Sequence, residues 1–218
     1  MPDHLLRLSR DDFGANAALD AALPPATRAV YVAVGMVSIR AGGGTATLSA
    51  NSALFHTGPM TIAASGQGAC LLRYELDPGE SVPAGAGVRS ERKLEATLRL
   101  DDPEGYLLRC DKVELPPGGI AYTHTHQGGG IRCLLKGGFN VRVHGETTEL
   151  GEYDAWFEAG TDPVYAWAPD DAPGHFSRVM ILPRRLKGKS SIRYVDPADA
   201  DKPKLQKYTV FVDELIET

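Results

Sequence analysis

Displaced by 102 residues without a gap, the chain matches itself. Gly35 falls on Gly137, Arg40 on Arg142, Gly43 on Gly145, Thr45 on Thr147 and Leu48 on Leu150, followed by Ala53, Phe55 and Gly58 on Ala155, Phe157 and Gly160. The identities within 28–58 are few, but three are glycines at turn positions, with apolar residues in step between them. That is the pattern of a repeated hairpin unit. It predicts two similar β units in which 28–58 and 130–160 are equivalent.

The rest of the chain reads the same way. Apolar, β-branched or alternating runs at 29–34, 36–40, 45–48 and 70–76 are bounded by Gly, Ser or Pro. The second half repeats them at 106–115, 120–126, 131–135, 139–143, 164–168 and 176–182. The 24 Gly and 15 Pro are spread along the chain, which points to many turns and not to disorder. One helix is expected, over 9–23. Ser9 can cap it, Asp11 and Asp12 sit in its first turn, and Pro24-Pro25 ends it. Many short strands at this spacing predict an all-β sandwich or barrel. The expected division is 1–83, 84–186 and a tail, 187–218, with the join near 78–87. Alternating Tyr208, Val210 and Val212 predict that the tail adds to a sheet edge.

Several function classes drop out on composition. A net charge of −5 gives no basic face for nucleic acid. The short cluster Arg184, Arg185, Lys187 and Lys189 reads as a solvated loop. No apolar run approaches a membrane span, and the residues from Met1 to His4 do not open a signal peptide. Cys70, Cys110 and Cys133 are an odd number without CxxC spacing, which predicts buried thiols and a cytoplasmic location.

The segment that can carry chemistry runs from Pro116 to Gly130 and contains His124 and His126. On a strand these two imidazoles share a face, and side by side they form half a site for Fe, Mn, Ni, Cu or Zn. Nothing suggests an organic cofactor: there is no phosphate-cradling loop and no nucleotide fingerprint.

Gly118 or Gly119, His124, His126 and Gly137 resemble the first motif of the cupin superfamily, and 151–163 resembles its second. The resemblance covers the second half well and, through the repeat, the first half more loosely, as in a bicupin. It implies double-stranded β-helix (jelly-roll) barrels, two in tandem, with a metal or small molecule at the mouth of the second. It also exposes two departures. Gly130 stands where the family's glutamate ligand belongs, and Pro163 where its last histidine belongs. Gln127 and Glu158 are the candidate extra ligands, with Tyr165 and His175 behind them. His56 matches Glu158 in the repeat, with no partner ligand in the first half, which reads as a structural partner barrel.

If Gly130 faces inward, so does Arg132, which must then meet either an internal acid such as Glu158 or the carboxylate of a ligand. Tyr122, Tyr165 and Trp167 share the expected inward parity and complete a candidate substrate-binding set with Arg132. Two functions remain open. One is a divalent-metal-dependent enzyme, dioxygenase-like or lyase-like, acting on a small acidic or polar compound. The other is a non-catalytic ligand-binding or structural bicupin that has lost its metal. The partner expected is a small molecule, with neither nucleic acid nor membrane; monomer and homodimer are both open.

Overall fold

A computed structural model describes residues 3–79 and 83–218. They are almost wholly β, and the chain divides into two compact units, 1–99 and 100–218. Part of the join expected at 78–87 falls outside the described residues. Among these, no helix is long and apolar enough to cross a membrane.

The first unit contains β1 (Asp3–Phe13), β2 (Thr27–Ala41), β3 (Gly44–Ser49), β4 (Ser52–His56), β5 (Met60–Leu76) and β6 (Val88–Arg99). They form one antiparallel sheet in the order β3-β2-β5-β1-β6, with β4 also on β2. The long strands β2 and β5 slip register on either side of Val34 and Gly35, which lets one sheet bend around a core of Val30, Val32, Ile39, Met60, Ile62 and Leu71.

The helix expected over 9–23 does not form. Residues up to Phe13 belong to β1, paired with β5 on one side and β6 on the other, and Leu23 bridges to Met60. The local signals were capping residues, but a lone helix of that length is marginal, and the sheet offers more. Asp11 is buried and accepts from Arg73 Nε at 2.7 Å, so its carboxylate serves a cross-strand ion pair and not a helix dipole.

The second unit contains β7 (Tyr106–Leu115), β8 (Ile120–His126), β9 (Gly130–Gly137), β10 (Phe139–Val143), β11 (Glu146–Leu150), β12 (Ala155–Glu158), β13 (Val164–Trp167), β14 (Gly174–Pro183), β15 (Ile192–Tyr194) and β16 (Lys207–Ile216). Two antiparallel five-stranded sheets result, β11-β10-β13-β8-β15 and β12-β9-β14-β7-β16. Their inner faces share one core, with Val141, Val164 and Ala166 from the first sheet against Val113, Leu134, Trp156 and Phe176 from the second. That is a jelly-roll arrangement. The tail supplies the last strand of each sheet: β15 pairs with β8 and β16 with β7.

The 102-residue displacement reappears in the pairing. Arg40 opposes Thr45 as Arg142 opposes Thr147, and Arg28 opposes His56 as Gly130 opposes Glu158. Gly35 and Gly137 both have positive φ, 81° and 82°. A Cβ there would lie 2.2 Å from the Gly68 oxygen and 1.9 Å from the Pro173 oxygen, so only glycine fits either bend. Arg73, opposite Val30, and Arg178, opposite Arg132, each grip a buried aspartate with two nitrogens, Asp11 and Asp111.

Candidate metal centre

β8 carries His124 and His126 on the inner face, both buried, with ring centroids 4.9 Å apart. Tyr122 does not share that face, although simple alternation predicts it. Ala166 opposes Ala121 and Val164 opposes His124, so β8 spends three steps where β13 spends two. This bulge turns both Ala121 and His124 inward and leaves Tyr122 off the inner face, with Lys202 Nζ 4.7 Å over its ring. Tyr165 and Trp167, expected to face inward, do not: Val164 and Ala166 hold the inward positions of β13. The two aromatic rings flank the exposed Arg142, whose guanidinium carbon lies 5.5 and 5.1 Å from their centroids.

Gly130 has no room for a side chain, since a Cβ would lie 2.2 Å from the Val179 oxygen. The carboxylate comes from the neighbouring strand instead. Glu158 is the cross-strand partner of Gly130, and its parity on β12 is inward, with Trp156. One donor atom from each of His124, His126 and Glu158 falls within 4.8 Å of the others, and all three residues are buried. Gln127 is not in this cluster; its side-chain oxygen accepts from Arg193. His175 lies beside Glu114 at 3.8 Å.

The hydrogen bonds aim this group. His124 Nδ1 lies 2.7 Å from the Tyr122 carbonyl oxygen, which can only accept. Nδ1 therefore carries the proton and Nε2 keeps its lone pair. His126 Nδ1 lies 3.2 Å from Ser191 Oγ, and its Nε2 is 3.5 Å from Glu158 Oε2. Trp156 Nε1 donates to Glu158 Oε1 at 2.9 Å. Oε2 is 2.7 Å from Arg132 Nη2 but is buried without an aligned hydrogen-bond donor. Arg132, 1% exposed, also donates from Nη1 to the Gly130 oxygen at 2.6 Å. Of the two partners open to Arg132, the internal acid is the one beside it.

Burial pushes the His126 pKa well below its ordinary value, and Arg132 and Arg178 push it the same way. His124 is lowered too, by burial, against the pull of Glu158. Burial would raise Glu158, but Arg132 and His124 outweigh it and keep the carboxyl below its usual range. Two neutral imidazoles thus lie beside an ionised carboxylate, and His124 keeps the lone pair on its Nε2. A divalent cation fits that donor set.

A pH prediction follows for the metal-free protein. Both histidine pKa values are depressed in the fold, so the unfolded chain binds more protons as pH drops through about 6.5, the unfolded value. The stability they contribute is complete above that pH and is lost below it. Melting temperature should fall between pH 7.5 and pH 5.5. A His124→Gln/His126→Gln variant should show a shallower fall, and an equal one would place the titration elsewhere.

Two cavities adjoin the cluster. A chamber of about 30 Å³ is lined by His124, His126, Arg132 and Glu158. A pocket of about 420 Å³ meets it at His126, Arg178, Gln206 and Tyr208. The tail residues Ser191, Tyr194, Gln206 and Tyr208 escaped sequence reasoning. The runs at 190–195 and 208–212 read as possible strands in the sequence, but nothing tied either to the histidines.

No protein-family model and no curated protein matches the sequence. Solved structures do match. An oxalate decarboxylase from Lactobacillus farciminis, in complex with formate, superposes with a TM-score of 0.67 at 14% identity, over 90% of this chain and 82% of that one. A variant of Bacillus subtilis oxalate decarboxylase gives 0.66 at 12%, over 90% and 73%. AerE from Microcystis aeruginosa gives 0.59 at 14%, over 83% and 88%. Another structure of the Bacillus protein is described by its Mn(II) centres. Likeness at such identity establishes the fold and leaves the chemistry to the residues of the site.

Proposed function

We propose that this chain, which has the cupin fold, is a divalent-metal-dependent enzyme catalysing a lyase-like reaction on a small acidic compound. The observation that carries this reading is the position of Glu158. Its carboxylate projects from the strand beside Gly130 to within ligand-forming reach of two buried imidazoles, and one of its oxygens lacks an aligned donor. Two histidines and one carboxylate leave further coordination positions for a ligand.

A divalent ion there would supply Lewis-acid polarisation of a bound carboxylate or carbonyl. The protein supplies the rest. The Tyr122 carbonyl and Ser191 Oγ orient the two rings. Arg132 keeps Glu158 ionised and fixed, so its role in this reading is to position a ligand of the metal. The small chamber limits water beside the reacting group. Mn(II), the ion named for centres of the Bacillus protein, is the first to try.

The matched registers support reading the chain as two cupin-like halves, the first with no metal-type cluster among its described residues. There His56 and Arg28 replace Glu158 and Gly130, and Arg28 is bound to Glu75 at 2.6 Å.

Elemental analysis of purified protein should find a transition metal near one equivalent per chain. His124→Ala/His126→Ala should abolish Mn(II) binding in calorimetry while the β-type circular dichroism persists. No bound metal, and no rise in melting temperature with Mn(II), Fe(II), Ni(II) or Zn(II), would favour the non-catalytic bicupin.

A further inference from the structure

We propose that the ligand of this centre is a monocarboxylic acid with a ring-sized apolar body, and that the body lies in the pocket walled by the C-terminal segment. The inference rests on the metal-centre reading above and deepens it. Its starting point is size. The chamber beside His124, His126 and Glu158 measures about 30 Å³, little more than the space of one or two waters. The adjoining pocket, about 420 Å³, falls in the range of sites that hold whole small molecules. A ligand reaching the metal therefore puts its head in the chamber and its bulk in the pocket.

The walls indicate what that bulk is. Ile192 and Tyr194 from β15 and Tyr208 and Val210 from β16 line the pocket, so two strands of the tail bring aromatic and aliphatic surface to it. Tyr208 and Val210 are 47% and 53% exposed, an apolar mouth open to solvent. The two arginines and two aspartates of the lining are spent on one another. Arg109 is paired with Asp213 at 2.9 Å, and Arg178 with Asp111 at 2.7 and 3.0 Å. Lys204 donates to the carbonyls of Asp199, Ala200 and Lys202, and Lys189 is exposed. The two arginines are thus answered by the two aspartates, Lys204 is tied to backbone carbonyls and Lys189 is exposed, so the apolar side chains of the tail are what the body of a ligand would meet.

The head is different. In the chamber, Glu158 is already answered by Arg132 and Arg178 by Asp111. A divalent ion would add positive charge that no neighbouring acid offsets, and a ligand carboxylate would offset it. One carboxylate suffices. A second acid group would have to lie against the apolar walls of Ile192, Tyr194, Tyr208 and Val210 and lose its hydration. The structure thus assigns this chain a larger, more apolar ligand than the two-carbon diacid named for its structural relatives.

The test is calorimetric titration of the Mn(II)-loaded protein with phenylacetate, acetate and oxalate. Phenylacetate should bind at least about tenfold more tightly than either of the others, because only it buries a ring against the tail. Val210→Trp fills the pocket from β16, and Ser190→Trp fills it independently. Each should remove the advantage of phenylacetate while leaving acetate and Mn(II) affinities unchanged. Equal or tighter binding of oxalate, or an advantage that survives both Trp variants, would overturn the inference. Mn(II) is titrated first and alone. Its failure to bind would overturn the metal-centre reading and the head-group half of this inference. A ring preference in metal-free protein, abolished by the Trp variants, would still support the pocket half.

Discussion

Arg132→Ala should cost about 3–5 kcal/mol of stability, the usual penalty for removing one partner of a buried ion pair. The guanidinium is 1% exposed and sits 2.7 Å from a buried carboxylate oxygen that no donor reaches in aligned geometry. Without it, Glu158 keeps its charge among two neutral imidazoles and loses its main counter-charge. Three further measurements separate this cause from simple loss of packing. Arg132→Met/Glu158→Gln should recover most of the loss, since removing both charges leaves nothing unpaired. The deficit should shrink as pH falls and Glu158 protonates. Mn(II) should restore part of the melting temperature of Arg132→Ala, because the ion replaces the missing positive charge. An Arg132→Ala protein as stable as wild type would mean that Glu158 is not the acid this arginine serves.

How much of this was legible beforehand depended on the range of the interaction involved. Strands β7 to β10 and β14 follow apolar runs that can be read locally, and the two histidines declare a shared face by their spacing alone. Gly35 and Gly137 were expected in turns; Gly137 ends β9, but Gly35 lies within β2 at a register slip, and what the two share is a positive φ and a close carbonyl contact. Three features were not legible, each for want of a local signature. The bulge at Tyr122 and Thr123 depends on how β13 pairs with β8, so alternation alone misdirects Tyr122. The capping residues Ser9 and Asp11 suit a helix as well as a strand edge, and Arg73, 62 residues away, decides between them. The cavity walls from the tail arise because 187–218 closes both sheets, which the spacing of Tyr208 and Val210 does not specify.

Glu158 is the most instructive of the site residues, because a motif scan looks for its carboxylate 28 residues earlier. Glu158→Gln keeps the shape and the Trp156 contact but removes the anionic donor. It should weaken Mn(II) binding by more than the roughly 10–100-fold typical of losing a group that only supports a ligand. Putting the glutamate back where the family motif has it should not help. In Gly130→Glu/Glu158→Gln, the new Cβ would meet the Val179 oxygen at 2.2 Å and the Met180 Cα at 2.8 Å, both backbone atoms that cannot move aside cheaply. The strand would have to separate from β14, breaking the ladder from Gly130 to Leu134 that fixes Arg132 and frames the histidines. The double variant should therefore lose both metal affinity and several degrees of melting temperature, more than Glu158→Gln alone. Recovery of Mn(II) binding in it would mean that β9 and β14 can part at Gly130 and that either strand can supply the carboxylate. Continued loss would tie the centre to the β12 carboxylate and make Gly130 the residue that keeps the two strands close enough for Glu158 to reach.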